Sequence, residues 1–180
     1  GYYYMVGYTL ARSEDTRSFD PAFTTVSTGN VQSASGTPFN IFVRSLNYAR
    51  SDCDRTHVFY SNFLVELPFG RGKWVGSDVN GLVNQIIGGW ELAGRFTWQS
   101  GRPFTVYSGS NTLSNLVQTP ANCNGCDGLG GAYDDQGTGL VWFFNEADRA
   151  KFSLPAAGSF SDVGRNAFVG PSYINLDVSL

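Results

Sequence analysis

The sequence predicts an all-β fold, an antiparallel meander of about four long strands, on three observations. Between residues 89 and 100 the side chains alternate strictly, with Trp90, Leu92, Gly94, Phe96 and Trp98 on one face and Glu91, Ala93, Arg95, Thr97 and Gln99 on the other. Residues 57–68 alternate too, Phe59, Ser61, Phe63, Val65 and Leu67 against Val58, Tyr60, Asn62, Leu64 and Glu66. The runs are about as long as a tilted transmembrane β-strand, ~9–11 residues, where a strand of a soluble sheet more often has ~5–6. Composition agrees: aromatics make up 15% and charged residues 15%, with 22 Gly. An ordinary soluble domain has about 25% charged residues. Few charges and many aromatics suit a β-protein with an aromatic-girdled apolar exterior.

The first strand is expected near 2–11, with Tyr2, Tyr4, Val6, Tyr8 and Leu10 facing one way and Tyr3, Met5, Gly7 and Thr9 the other. Its tyrosines fit an interfacial belt, where a ring wants apolar surroundings and its hydroxyl water; they fit a Tyr-rich soluble sheet edge equally well. Residues 12–55 are polar and without period. A second strand covers 57–68 and stops at Pro68, which has no N–H for a ladder. Gly70 and Gly72 supply the turn. Ser77 or Asp78 then caps a short helix over 78–87, whose Val79, Leu82, Val83 and Ile86 form one stripe expected to face the strands, closed by Gly88 and Gly89.

The third strand, 89–100, is followed by GRPFTVY (101–107), read as its continuation beyond a Pro103 break. Residues 108–170 are the longest irregular region, with an aromatic patch at Val141, Trp142, Phe143 and Phe144 that either anchors the loop to the sheet rim or binds a ligand. A fourth strand covers 173–180, with Ile174, Leu176, Val178 and Leu180 opposed to Tyr173, Asn175, Asp177 and Ser179.

Long connections alternating with a short one are the pattern of outer-membrane barrels, whose external loops are long and periplasmic turns short. Loops 12–55 and 107–170 are therefore expected to be extracellular and the 70–88 connector periplasmic. Four strands fall short of the about eight in the smallest membrane barrels. The chain opens in mid-strand without a signal peptide, so residues 1–180 are expected to be a partial segment of a transmembrane β-barrel. No run of 18 apolar residues offers a spanning helix. A net charge of −3 and a pI of about 5.0 give no footprint for nucleic acid. The alternative is a soluble β-rich carbohydrate- or protein-binding module, which would turn its aromatics inward.

Three ordered blocks, DRTHVFYSNFLVELPFGRGK, GGWELAGRFTWQSGRPFTV and GRNAFVGPSYINLDVSL, resemble the barrel of TonB-dependent outer-membrane receptors. The likeness is to the Oar-like branch, whose full-length members carry an N-terminal carboxypeptidase-regulatory-like domain. It runs from about Tyr2 to the last residue and is weakest in the loops. The resemblance implies a wall segment of a transporter that imports a solute across the outer membrane. It implies as partners the membrane lipid, the rest of the barrel with its plug domain, and the TonB complex reached through an N-terminal part outside this chain. In that role Tyr60, Asn62, Glu66, Glu91, Arg95, Thr97, Gln99, Asn175 and Asp177 face the lumen. Phe59, Phe63, Val65, Trp90, Leu92, Phe96, Trp98, Ile174, Leu176 and Val178 face lipid. Surface adhesion through the two loops is a further reading for this branch.

Nothing in the sequence points to an enzyme. A Ser-His-Asp hydrolase would have to use the single histidine, His57, with Asp54 as its orienting partner, and no G-x-S-x-G elbow presents a serine. Asp134 and Asp135 are paired carboxylates in a Gly-rich loop, where solvation is the default. Gly125 to Gly131 lacks the strand and lysine of a phosphate cradle. Cys53, Cys123, Cys126 and His57 make a formal Cys3His inventory. In an oxidising compartment a local Cys123–Cys126 disulfide is the simpler reading; free thiols and a metal site remain open. No cofactor is expected.

Overall fold

The computed structural model describes residues 1–16, 18, 26–27, 30–31, 39–40, 42–113, 118–131, 133–135, 137 and 139–180. The chain folds as two compact units: residues 1–10, 57–99 and 173–180, and residues 11–56 with 100–172.

The first unit is a four-stranded antiparallel sheet. Its strands are β1 (Tyr2–Leu10), β2 (His57–Glu66), β3 (Glu91–Gln99) and β4 (Tyr173–Ser179), and neighbours in space follow chain order. Each bound lies within two residues of the expected one. The register is continuous: Tyr4 stands opposite Phe63, Phe63 opposite Gly94 and Gly94 opposite Val178. Directly opposite residues share a face, so this pairing extends each strand's alternation across the whole sheet. Two glycines lie under rings of the next strand: a Cβ on Gly7 would lie 2.1 Å from the Tyr60 ring and one on Gly94 2.2 Å from Phe63. An aromatic folded over a cross-strand glycine is a device that pins register.

The connector from β2 to β3 is a compact knot. Gly70 N–H donates to Val75 O (2.9 Å), Val75 N–H to Pro68 O (3.0 Å) and Lys73 N–H to Gly70 O (3.0 Å). The helix α1 covers Gly81–Ile87 and is capped by Asn80, whose side chain accepts from Val83 N–H. It therefore starts later than the expected 78–87, and neither Ser77 nor Asp78 is its cap. The expected burial of its apolar stripe is also corrected. Leu82 and Ile86 are 76% and 71% exposed, while the half-buried Asn84 accepts Arg71 N–H at 2.6 Å. Val79 lies outside the helix and packs with Ile87 around Gly76. The amide of Asn84 takes the inward position because the turn's backbone donors need an acceptor there.

The second unit, expected to be irregular, contains short paired strands: Glu14–Asp15 with Ala49–Arg50, Pro103–Phe104 with Phe168–Val169, Asn122–Cys123 with Phe152–Ser153, Tyr133–Asp135 with Leu140–Trp142, and Val26–Ser27 with Asn30–Val31. Pro103–Phe104 is thus not a continuation of β3; it pairs with Phe168–Val169. A Cβ on Gly101 would stand 1.7 Å from the carbonyl oxygen of Gly170, so only glycine permits this approach.

Candidate functional site

The two sheet faces are the surfaces on which this unit acts, and the register defines them. One face carries Tyr2, Tyr4, Val6, Tyr8 and Leu10 of β1; His57, Phe59, Ser61, Phe63 and Val65 of β2; Leu92, Gly94, Phe96 and Trp98 of β3; and Ile174, Leu176 and Val178 of β4. No Asp, Glu, Lys or Arg stands on it. Every residue expected to face lipid falls here, with Trp90 continuing the row by alternation just before β3. The opposite face gathers Tyr60, Asn62, Glu66, Glu91, Arg95, Thr97, Gln99, Asn175 and Asp177, the whole set expected to face a lumen.

The uncharged face is graded along the strands. Tyr8, His57 and Trp98 cluster at one end: Tyr8 Oη lies 2.7 Å from His57 Nδ1, and the His57 ring is stacked 6.1 Å from both Tyr8 and Trp98. Phe59 and Phe96 meet edge-on at 5.9 Å farther in. Tyr2 and Trp90 stand at the connector end. Rings with a polar handle thus mark the two ends; between them stand Tyr4, Val6, Ser61, Phe63, Gly94, Phe96, Leu176 and Val178. Eight residue steps separate Trp90 from Trp98, about 26 Å of strand at ~3.3 Å per residue. Tilted by ~40° this spans about 20 Å, close to the ~25 Å apolar band of a membrane barrel.

On the polar face one row crosses all four strands: Met5, Asn62, Arg95 and Asp177. Asn175 Nδ2 donates to Asp177 Oδ2 at 2.7 Å. Glu66 and Glu91 stand directly opposite, and Lys73 offsets their repulsion by donating to Glu66 at 2.6 Å. Among the described residues no ion pair joins Glu91 to Arg95.

The loop unit holds a buried polar network that sequence reading did not find. Arg165, with its side chain 1% exposed, forms ion pairs with Asp15 and Asp52. It also donates to the carbonyl oxygens of Asn47 (3.0 Å) and Asp15 (2.9 Å). Beside it Asn166, at φ 52°, donates through Nδ2 to Asp52 (2.6 Å) and Arg50 O (2.7 Å). Asp54, 2% exposed, accepts from Ser13 N–H (2.7 Å) and from Arg50 Nη2 (2.6 Å). Burial pushes its carboxyl up, but the Arg50 guanidinium and the Ser13 amide outweigh that and hold it below its ordinary 3.8. Asp15 is likewise raised by burial yet net lowered by Ser18 and Arg165. Both Asp54 oxygens are thus engaged within the loop unit. No local pattern marks this network, because Asp15, Asn47 and Asp52 all lie more than a hundred positions from Arg165 in the chain.

The aromatic patch splits. Phe143 and Phe144 join Phe104, Phe152 and Phe168 in a cluster with ring centroids 4.9–6.1 Å apart, so they anchor the loop to its own core. Trp142 lies under Arg149 at 4.6 Å, and Val141 is exposed. Arg55, Arg102, Pro103, Phe104, Phe143, Gly170 and Pro171 line a cleft of about 370 Å³. Cys123 and Cys126 are joined as a disulfide. Cys53 accepts from Arg102 Nη2 at 3.6 Å. Among the described residues no cluster of His, Cys, Asp and Glu has a metal-holding arrangement. The side chains of Asp134 and Asp135 lie outside the described ones.

A long-stranded antiparallel sheet with one uncharged, aromatic-edged face and one charged face defines a wall of a membrane β-barrel. Over residues 1–180 the chain matches a family model described as an outer membrane beta barrel domain. It belongs to that family, and its place is the outer membrane. This sets aside the soluble binding module. No curated protein and no solved structure gives a match.

Proposed function

We propose that the chain is a wall segment of a TonB-dependent receptor of the Oar-like branch, importing a solute across the outer membrane. The observation that carries this reading is the polar face. Glu66, Glu91, Arg95 and Asp177 line one side of the sheet, as a lumen wide enough to hold a hydrated plug requires. The blocks that resemble the receptors support it, because two of them meet where Pro103–Phe104 pairs with Phe168–Val169. The wall does no bond chemistry: it satisfies its backbone in lipid, offers an apolar band and lines the polar passage. The connector is periplasmic and both loops extracellular. The partners are the membrane lipid, the rest of the barrel with its plug, the TonB complex and the imported solute; nucleic acid is not among them.

The test is electrical. The full-length protein in a planar bilayer should give no steady conductance until its plug is unfolded with urea, and should be retained by the periplasmic domain of TonB. Steady conductance without urea, and no retention, would make it an open pore instead.

A further inference from the structure

The connector holds large apolar side chains outward. Trp74 is 92% exposed, and Leu82 and Ile86, one helical turn apart, are 76% and 71% exposed. This outward pose is built in. Asn80 caps the helix through Val83 N–H (2.9 Å), and Gly88 N–H donates to Asn84 O (2.8 Å). Asn84 Oδ1 holds Arg71 N–H (2.6 Å) on the inner side. Turning Leu82 and Ile86 inward would pull Asn84 out and leave that amide unpaired.

The end of the helix adjoins the uncharged face of the sheet. Trp90 continues the row of Leu92, Gly94, Phe96 and Trp98, and its indole Nε1 donates to Ile86 O at 2.8 Å. That bond ties the helix's last turn to the apolar side. The helix, Gly81–Ile87, carries no charge, and the exposed Arg71 lies nearby in the knot. An uncharged short helix with Leu and Ile outward, flanked by tryptophans and a cation, has the chemistry of an interfacial membrane element.

We propose that residues 69–90 are an interfacial anchor: the connector lies in the headgroup boundary of the phospholipid leaflet at its end of the sheet. Trp74, Leu82 and Ile86 insert among the lipids, and Arg71 meets headgroup phosphate. The inference rests on the membrane reading of the uncharged face, and its test separates the two.

The full-length protein is reconstituted in phosphatidylcholine bilayers brominated either near the headgroup end or near the methyl end of the acyl chain. Trp74 is read as the difference in fluorescence between wild type and Trp74→Phe, and Trp98 likewise with Trp98→Phe. The expected result is that Trp74 is quenched more by the shallow bromine than by the deep one and is shielded from aqueous iodide. A Leu82→Asn, Ile86→Asn double variant should lose most of the Trp74 quenching and keep that of Trp98. If Trp98 is quenched by bromine while iodide quenches Trp74, the anchor is wrong and the membrane face stands. If neither agent reaches Trp74, protein covers it and the anchor is equally overturned. If bromine reaches neither tryptophan, the membrane reading itself fails.

Discussion

The loop unit closes a core and the sheet does not. Among the described residues the buried apolar side chains Phe39, Ala121, Cys123 and Phe168 all belong to the loop unit, and so do Asn47, Asp54, Thr119, Arg165 and Asn166. The sheet buries only Ser61 and leaves most of Tyr2, Tyr4, Tyr8, Ile174, Leu176 and Val178 uncovered. A unit that closes an apolar core around a buried polar network is organised for water. A sheet with two finished faces and no core takes its stabilisation from lipid on one side and a hydrated space on the other. One short chain is thus divided between two solvents, and the division follows its two units.

The largest effect expected is on the loop unit alone. Arg165→Ala removes a guanidinium that is 1% exposed and leaves Asp15 and Asp52 without it. Breaking a buried pair in this way costs about 3–5 kcal/mol. Limited proteolysis should cut the loops readily while circular dichroism retains the strand signal. Loss of both together would mean the units are not separable.

The sheet is broken by a charge on one face only. Phe96→Arg should destabilise the protein in bilayers by about 2–4 kcal/mol, as arginine does at the midplane of a barrel's lipid face. The neighbouring Thr97→Arg should change stability by a small fraction of that in the same urea titration.

Glycines sharpen the comparison further. A methyl at Gly101 meets the backbone carbonyl of Gly170, whereas a methyl at Gly94 meets the ring of Phe63, which can rotate away. Gly101→Ala should therefore cost about 1–3 kcal/mol, as overpacking does, and Gly94→Ala distinctly less, by the same denaturation assay.

The smallest effect is acid sensitivity of the loop unit. Asp54 titrates below 3.8 in the folded chain, so its contribution is complete above the unfolded value and is lost as pH falls through the folded one. The difference in protease resistance between wild type and Asp54→Asn should be present at neutral pH and shrink below about pH 4. A difference that grows on acidification would reverse the assignment.

The sheet was legible because its signal is local. Each strand declares its two faces by alternation, and Trp90, Leu92, Phe96 and Trp98 need no distant partner to do so. The direction of the connector's stripe was not. Periodicity shows that Leu82 and Ile86 share a side but says nothing of what covers it, and the amide of Asn84 decided the matter. The Asn80 cap was missed because Ser77 and Asp78 are equally good cap residues. The Arg165 network lies beyond sequence reasoning altogether, since its partners Asp15 and Asn47 are more than a hundred positions away. Periodicity finds faces that meet a solvent; it does not find pairs that meet each other.

The Phe96 face is expected to meet lipid and the Arg95 face water. Single cysteines from Glu91 to Gln99, spin-labelled in the full-length protein in bilayers, test it by collision with apolar oxygen and with a water-soluble nickel chelate. A period of two is expected. Labels at Leu92, Gly94, Phe96 and Trp98 should collide with oxygen, and those at Glu91, Ala93, Arg95, Thr97 and Gln99 with nickel. The opposite phase, or nickel reaching both sets alike, would contradict it.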